Sequence, residues 1–204
     1  MAIRWGSYRV KGYYDELIRV AGKPRAGSRG VCEYLRGLSD AEIEERKQAA
    51  EAAIQVMGIT FTVYSDEGSS IDRTWPFDII PRIIPAAEWR RIETGLKQRV
   101  KALNLFIDDI YHDQRIVKDG VFPKAVLDSS KNFRPQCVGV NPARGIWAHI
   151  CGSDLIRGED GTMYVLEDNL RVPSGVSYML ENRLVMKRVF PELFEQHGIQ
   201  PVDD

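Results

Sequence analysis

The stretch that decides the fold is YVLEDNLRVPSG, residues Tyr164–Gly175. Its first residues are apolar and strand-like, and they lead directly into Glu167, Asp168 and Asn169. Arg171 follows, and a Pro-Ser-Gly turn closes the stretch. A strand that ends in two acids, an amide and a guanidinium brings together groups that bind cations and anions. We therefore predict that this strand ends at a site for a metal ion and a phosphate.

The residues before this strand predict its partner in a β-hairpin. In SDLIRGEDGTMYVLEDN, two strand-like runs flank the loop Gly158–Gly161, which has glycine at both ends. The simplest antiparallel register places Asp154 opposite Val165. Because side chains alternate between the faces of a strand, Asp154, Glu167 and Asn169 share one face in that register. A slip of one residue would move Asp154 to the other face.

The three oxygen-bearing side chains on this face have two interpretations. Asp154 and Glu167 are diagonal neighbours in the register, about 7–8 Å apart between backbones. Two carboxylates and an amide oxygen at that reach suit a hard cation held largely through substrate phosphates. A polar sheet surface would show the same pattern, and the residues alone leave both interpretations open. Asp168 points to the opposite face, where we expect a structural hydrogen bond or solvent.

The residues after the strand favour anion binding. Arg171 lies where the strand ends, and the fork of a guanidinium matches the oxygens of a phosphoryl group. The small-residue turn at Ser174 and Gly175 precedes a predicted helix, and backbone N–H groups at such a turn bind anions. Alternatively, Ser174 caps this helix. The two roles are compatible.

The rest of the chain divides into two predicted segments. Residues 1–58 form an N-terminal loop and helical segment, in which LSDAEIEERKQAAEAAIQVMG predicts a helix with an apolar stripe. Ser39 and Glu42 have capping-box spacing at its start, and Gly58 is a suitable stop. Residues 59–204 contain the hairpin and the predicted metal site.

The second segment begins with a strand, ITFTVYS, which alternates and is rich in β-branched residues. A turn-rich DEGSSIDR follows, and the prolines of WPFDIIPRIIP predict an extended segment or an edge strand. PAAEWRRIETGLKQRVKALNLFIDDIYHD predicts a long helix with apolar residues at helical spacing. This order of elements predicts an α+β fold, with a largely antiparallel sheet and packed helices.

Composition excludes several classes of protein. The 28 basic and 29 acidic residues give a net charge of −1, which offers no field for nucleic acid or an anionic membrane. No stretch approaches the roughly 18–20 apolar residues of a membrane span, so we expect a cytoplasmic location. Three dispersed cysteines argue against a disulfide framework and favour buried thiols. His149 and Cys151 could share a zinc ion, but no second pair of ligands is nearby.

The hairpin resembles a known family of enzymes. SDLIRGEDGTMYVLEDNLRVPSGVSY is similar to the metal-binding end of ATP-grasp ligases, in which an Asp on one strand and a Glu-x-Asn on the next bind magnesium. The matching residues are Asp154, Glu167 and Asn169. With YDEL, GITFTVYS, PFDIIPRIIPAAEW, QRVKALNLFIDDIY and YMLENR, nearly the whole chain resembles the circularly permuted ATP-grasp type 2 family, which is similar to the glutathionylspermidine synthase type.

The resemblance implies an ATP-dependent carboxylate–amine ligase with a partial ATP-grasp-like fold. ATP would phosphorylate a carboxylate, and an amine would displace phosphate from the acyl phosphate, with Mg²⁺ or Mn²⁺ as cofactor. The matched trio would hold the metal, and Arg171 would steady the transferred phosphoryl group. Ser174 and Gly175 would line the acyl-phosphate pocket.

The resemblance also implies further anion-binding candidates. Arg82 is a second catalytic candidate, and Arg157 would contact the cofactor together with Arg171 and the turn. For Arg82 and Arg157, a surface ion pair is an equally good interpretation. His149 could accept a proton from the amine, although a core histidine on an apolar strand is the favoured interpretation.

The length of the chain leaves the function open. Family members run to roughly twice this length, which exceeds one ordinary core. The chain is therefore expected to be a ligase, the metal-ligand half of one, or a non-catalytic module. Such a module would self-associate or pair with a protein that supplies the nucleotide-binding lobe. A metal-dependent hydrolase that uses Asp154 and Glu167 is a third class.

Overall fold

The computed structural model describes residues 6–10, 12–64 and 70–203. The chain forms two compact units. Unit 1 comprises Met1–Pro85, Arg157–Thr162 and Ser174–Asp204, and unit 2 comprises Ala86–Ile156 and Met163–Pro173. No helix among the described residues is both long enough and apolar enough to cross a membrane.

Helices and short strand pairs make up the described structure. The α-helices, in chain order, are α1 Arg29–Gly37, α2 Asp40–Val56, α3 Ala86–Tyr111, α4 Arg115–Lys118, α5 Lys124–Ser129, α6 Gly175–Val189 and α7 Pro191–Gln196. The β-strands are β1 Ile18–Val20, β2 Lys23–Pro24, β3 Thr60–Tyr64, β4 Ser70–Thr74, β5 Gly152–Arg157 and β6 Met163–Asn169. This mixture of helices and small sheets is compatible with the predicted α+β class.

Each strand pairs with its neighbour in sequence. Within the described ranges the pairs are β1–β2, β3–β4 and β5–β6, and no sheet has a third strand. β3 and β4 are antiparallel, with Thr60 opposite Thr74. β5 and β6 are also antiparallel, because the five residues that join them are too few for a parallel crossover. The hairpin that the sequence predicts is therefore confirmed.

The core of unit 1 lies between four helices. The buried apolar side chains of this core are Val31, Leu35, Leu38, Ala50, Ile54, Ile79, Val185, Val189, Phe190 and Leu193. The predicted capping box begins α2: Ser39 N–H donates to Glu42 at 2.7 Å, and the Ser39 hydroxyl accepts from Glu42 N–H at 3.2 Å. Gly58, with φ at 67°, follows the end of α2 as predicted.

Unit 2 is organised around the C-terminal half of α3. The amide oxygen of Asn104 accepts hydrogen bonds from the backbone N–H groups of Trp147 and Ala148, at 2.9 and 3.0 Å. Tyr111 stacks on Trp147 and on Phe133, with ring centroids 4.9 and 5.1 Å apart. These contacts fix the irregular chain that leads from α3 to β5, and so position the start of the hairpin.

One sequence prediction around the β3–β4 hairpin needs correction, and one of two alternatives for the stretch after it is excluded. The stretch predicted as a turn, residues 66–73, overlaps β4, and its first residues, 66–69, lie outside the described residues. The proline-rich stretch that follows β4 contains no helix or strand among its described residues. Of the two predicted alternatives, an extended segment and an edge strand, the edge strand is therefore excluded.

Candidate metal and anion site

A hydrogen bond between the two strands fixes which side chains share a face. The hydroxyl of Ser153, on β5, donates to Asp168 on β6 at 2.7 Å, so these side chains lie on the same face. Alternation then places Asp154 on the opposite face, together with Glu167 and Asn169. This is the arrangement that the simplest register predicts.

Asp168 has the structural role that was expected of it. Its other carboxylate oxygen accepts from Arg99 Nε on α3 at 2.6 Å, and its side chain is nearly buried. The bond from Arg99 attaches the hairpin to α3, and the bond from Ser153 joins its two strands. Asp168 also acts on Cys151: burial of the thiol, reinforced by the Asp168 charge, raises the pKa of Cys151.

Glu167 and Asn169 are in direct contact on the opposite face. The Asn169 amide nitrogen donates to Glu167 Oε1 at 3.0 Å. A turn of the amide about its last side-chain bond would bring its oxygen to that position. Glu167 and Asp154 are exposed, so a ligand can reach them from solvent.

The three side chains fit a hard cation whose remaining ligands are phosphate oxygens and water. Two carboxylates and one amide offer only oxygen atoms, which Mg²⁺ and Mn²⁺ accept. In the described part of the chain, no group of three or more His, Cys, Asp or Glu side chains could hold a metal ion. A cation on this face would therefore depend on phosphate oxygens and water as well. Whether the trio binds metal stays a prediction.

The segment after β6 has an unusual backbone. Arg171 is exposed, and Val172 next to it has φ at 50°, in the left-handed region. For a β-branched residue this conformation costs roughly 1–3 kcal/mol. A Cβ at Gly152 would lie 2.7 Å from Pro173 Cβ, so only glycine permits this close approach of the two segments. The contact holds the chain near Arg171 against the start of β5.

The turn that follows leads into α6. Ser174 occupies the N-cap position with helical φ and ψ, and within the described residues its side chain makes no capping bond. The alternative prediction that Ser174 caps this helix by its side chain is therefore wrong. A capping side chain needs an extended backbone, which Ser174 does not have. Its carbonyl instead accepts from the Ser177 hydroxyl at 2.6 Å. Gly175 is the first residue of α6.

Arg82 and Arg157 meet at Glu16 in unit 1. Arg82 donates through Nε and Nη2 to the two Glu16 oxygens, both at 2.8 Å, and Arg157 Nε donates to Glu16 Oε1 at 2.7 Å. The Glu16 and Arg157 side chains are 8% and 4% exposed, whereas that of Arg82 is 69% exposed. Burial pushes the pKa of Glu16 up, but hydrogen bonds from both arginines outweigh it and lower that pKa.

The surroundings of Arg157 are tightly packed. Its Nη1 donates to the Gly161 carbonyl at 2.8 Å, and its guanidinium lies 5.0 Å from the Tyr14 ring centroid. Gly161 has φ at 85°, and a Cβ there would overlap the Tyr14 ring. Arg82 thus makes the surface ion pair that the sequence left open, whereas the ion pair of Arg157 is nearly buried. Their binding of a substrate anion stays a prediction.

The structure corrects two expectations about burial, one for His149 and one for the cysteines. His149 is exposed and precedes β5, so it is not the core histidine that was favoured. The apolar residues around it predicted a strand, but the strand begins three residues later, at Gly152. Cys32 is buried as expected, whereas Cys137 and Cys151 are half-buried.

Three residues that contribute to these sites were not predicted from the sequence. Glu16, Arg99 and Ser153 had no assigned role, although each holds a predicted or neighbouring group in place. Their partners are distant in sequence or on another element. YDEL, which contains Glu16, was noted only as part of the resemblance, and that is the one signal that could have found it.

Comparison with known proteins gives a family match and longer relatives. The family model described as "Circularly permuted ATP-grasp type 2" matches residues 81–204. An uncharacterized protein of Synechocystis sp. is 48% identical over 97% of this chain and 41% of its own length. An uncharacterized protein of Mycobacterium leprae is 43% identical over 98% of this chain and 36% of its own.

A further relative carries a functional name. The Frankia casuarinae protein named "Putative glutamate--cysteine ligase 2-2" is 40% identical over 96% of this chain and 22% of its own length. The chain therefore spans well under half the length of each of these relatives. No solved structure matches the chain.

Proposed function

Because the chain belongs to the circularly permuted ATP-grasp type 2 family, we propose that it is an ATP-dependent carboxylate–amine ligase, or the metal-ligand half of one. The observation that carries the proposal is the family match, which includes the whole hairpin. The name of the Frankia relative supports a ligase function of this type.

The reaction has two steps. A carboxylate oxygen of the first substrate attacks the γ-phosphorus of ATP, the bond to the β-phosphate oxygen breaks, and ADP leaves. The amine nitrogen of the second substrate then attacks the carbon of the acyl phosphate. The bond from that carbon to the phosphate oxygen breaks, inorganic phosphate leaves, and the nitrogen gives its proton to solvent or a base. The product is an amide.

The hairpin residues have distinct roles in this proposal. Asp154, Glu167 and Asn169 hold the cation, and bound Mg²⁺ or Mn²⁺ offsets the charge on the phosphates. Arg171 is exposed and can meet the transferred phosphoryl group with its planar fork. Support for the cation site comes from the 3.0 Å contact between Asn169 and Glu167, which already brings two of the three side chains together.

Three further groups bind anions in this proposal. The backbone N–H groups at Ser174 and Gly175 open the 15-residue helix α6 and contribute to the acyl-phosphate pocket. Arg82 offers an exposed guanidinium that donates to both oxygens of Glu16. Arg157 would contact the nucleotide only after its present bonds rearrange.

The proposal also covers the fold of the chain, its nucleotide partner and its location. The antiparallel hairpin and the packed helices belong to a partial ATP-grasp fold. Residues 59–204 are its metal-binding portion, and residues 1–58 precede it as a loop and helical segment. ATP is the nucleotide partner, and the predicted cytoplasmic location stays a prediction.

The test is phosphate release with a matched control. The chain is incubated with Mg-ATP, glutamate and cysteine, the pair printed in the name of the Frankia relative, and then with other carboxylates and amines. Glu167→Gln removes one metal-binding charge and should abolish release. Glu159→Gln makes the same change in the exposed hairpin loop and should leave release unchanged. Normal turnover by Glu167→Gln would overturn the metal assignment.

A second function is favoured by the length of the relatives. The chain matches 41% of the Synechocystis protein, so a non-catalytic module that pairs with a separate lobe is the alternative. Calorimetry with Mg-ATP separates the two, since a ligase half should bind nucleotide. Cleavage of a substrate without ATP would instead indicate the hydrolase.

A further inference from the structure

Asp168 lies between two of the predicted metal ligands, but its side chain points to the other face of the hairpin. Glu167 and Asn169 are its neighbours on β6, and the Asp168 side chain is only 8% exposed. One of its oxygens accepts from the Ser153 hydroxyl at 2.7 Å, and the other accepts from Arg99 Nε at 2.6 Å. A carboxylate that uses both oxygens in short bonds has a fixed position, and so has the backbone that carries it.

The bond from Ser153 joins the two strands where the predicted ligands lie. Ser153 precedes Asp154 on β5, and Asp168 separates Glu167 from Asn169 on β6. Because neighbouring side chains of a strand point to opposite faces, a bond on one face fixes the backbone that carries the ligands of the other face. The cross-strand bond therefore helps to align Asp154 with the other two members of the trio.

Two further contacts support the same end of the hairpin. Arg99 belongs to the 26-residue helix α3, so its bond ties Asp168 to the longest element of the same unit. A Cβ at Gly152 would lie 2.7 Å from Pro173 Cβ and 3.8 Å from Asn169 Cβ, so the start of β5 packs closely against the end of β6. The residues of a site need to be held within roughly 0.5 Å of their productive geometry, and contacts of this kind provide that support.

We propose that Asp168, held by Ser153 and Arg99, is the positioning residue of the cation site. It sets the affinity of the trio for a divalent cation from the opposite face of the hairpin, without contact to the ion. The inference rests on the proposed function, since it takes the trio as the metal ligands. Loss of a group that holds metal ligands in place lowers metal affinity by about 10- to 100-fold.

Positioning and simple charge effects predict opposite results for one substitution. Arg99→Gln removes a positive charge near the site, so electrostatics alone would strengthen the binding of a divalent cation. Positioning predicts weaker binding, because Asp168 loses its attachment to α3. Ser153→Ala changes no charge and should also weaken binding, since the cross-strand bond is lost. Ser153→Thr keeps the hydroxyl and should retain the affinity of the unchanged chain.

The experiment measures the binding of Mn²⁺ to the purified chain by electron paramagnetic resonance, which records the free ion. We expect Ser153→Ala and Arg99→Gln each to weaken binding by about tenfold. Two matched controls in the same unit should leave binding unchanged. Ser129→Ala removes a serine hydrogen bond from α5, and Arg115→Gln removes an exposed arginine that pairs with an aspartate. Circular dichroism checks that each variant is folded.

The outcomes separate this inference from the proposed function. If Glu167→Gln loses Mn²⁺ binding but Ser153→Ala and Arg99→Gln keep it, the trio is the site and the positioning role is wrong. Tighter binding by Arg99→Gln would also overturn that role. If the unchanged chain binds no Mn²⁺, or Glu167→Gln binds it equally well, the metal assignment itself fails.

Hydrogen exchange tests the positioning role without a metal ion. The backbone amides of residues 167–169 should exchange faster in Ser153→Ala than in the unchanged chain, because the end of β6 is held less firmly. Ser129→Ala should leave these rates unchanged. Equal rates in Ser153→Ala and the unchanged chain would overturn the inference, whatever the result with Mn²⁺.

Discussion

Unit 1 and unit 2 are stabilised by different kinds of contact. In unit 1, helices α1, α2, α6 and α7 enclose side chains such as Leu35, Val185 and Phe190, which are fully buried. In the described residues of unit 2, Ile110 and Ala148 are the buried apolar residues. Aromatic stacking and hydrogen bonds around α3 hold that unit together. Apolar burial contributes in proportion to its area, whereas each hydrogen bond contributes about 1 kcal/mol.

The difference matters for the predicted metal site, which lies in unit 2. The trio Asp154, Glu167 and Asn169 belongs to unit 2, which has less apolar stabilisation of its own. A cation site needs ligands held in a fixed geometry. We therefore expect the trio to be held less firmly than the core side chains of unit 1. Unit 1 has the larger core and should be the more stable of the two.

Loss of a core side chain in unit 1 should have the largest effect. Phe190 is fully buried where α6 meets α7, so Phe190→Ala should lower the free energy of unfolding by about 3–5 kcal/mol. Urea unfolding followed by circular dichroism measures it. Val56→Ala changes an exposed apolar residue and should stay within about 0.5 kcal/mol. A loss below 1 kcal/mol for Phe190→Ala would contradict the view that this core stabilises unit 1.

Loss of the charge at Glu16 should have the second-largest effect on stability. Glu16→Gln removes the charged partner of the nearly buried Arg157 guanidinium, and should cost roughly 3 kcal/mol at neutral pH. The folded state lowers the pKa of Glu16, so its stabilisation is present above the unfolded pKa of about 4.3 and is lost as pH falls through the folded value.

Unfolding measured from pH 7 to pH 3 tests this linkage. Glu16→Gln should show a weaker fall in stability towards low pH than the unchanged chain. Glu45→Gln, at an exposed position of α2, should keep the original pH dependence. If the stability of Glu16→Gln and that of the unchanged chain fell in parallel as the pH is lowered, Glu16 would not be the source of the pH dependence.

In unit 2, the amide of Asn104 should have a smaller but measurable effect. Asn104→Ala removes the acceptor of two backbone N–H groups and should cost about 2 kcal/mol. The fluorescence of Trp147, whose backbone it holds, should shift during unfolding at lower urea. Asn141→Ala, at an exposed loop position, is the matched control. No loss in Asn104→Ala would mean that unit 2 relies on other contacts.

The smallest expected effect is a gain in stability from a change at Val172. Val172 is exposed and left-handed, so Val172→Gly should remove backbone strain and stabilise the chain by about 1 kcal/mol. Thermal unfolding measures the change. Val138→Gly replaces an exposed valine with φ at −63° and should destabilise, since only the entropy cost of glycine remains. Destabilisation by both changes would show that Val172 is not strained.

Features set by neighbouring residues were predictable from the sequence. Ser39 and Glu42 lie within one helical turn, so their spacing alone specifies the capping box. The hairpin was predictable because glycines mark its loop and the strands beside it are apolar. The direction of Asp168 followed from alternation. All three depend on contacts within about 15 residues of sequence.

Features set by distant partners were not predictable. Arg82 and Arg157 lie 66 and 141 residues from Glu16, and no periodicity connects them. β4 was missed because SIDRT has weak strand propensity and forms a strand by pairing with β3. His149 was misplaced because the strand begins later than its apolar neighbours suggest.

The bond from Asn169 to Glu167 makes the amide protons of Asn169 a reporter of occupancy. If Asn169 binds a divalent ion through its amide oxygen, the amide must rotate, and its N–H then loses the Glu167 oxygen as acceptor. In a ¹⁵N-labelled sample, the side-chain NH₂ resonances of this one residue would then shift and exchange faster with solvent during a magnesium titration. The Asn169 side chain thus offers a spectroscopic marker for metal binding at this site.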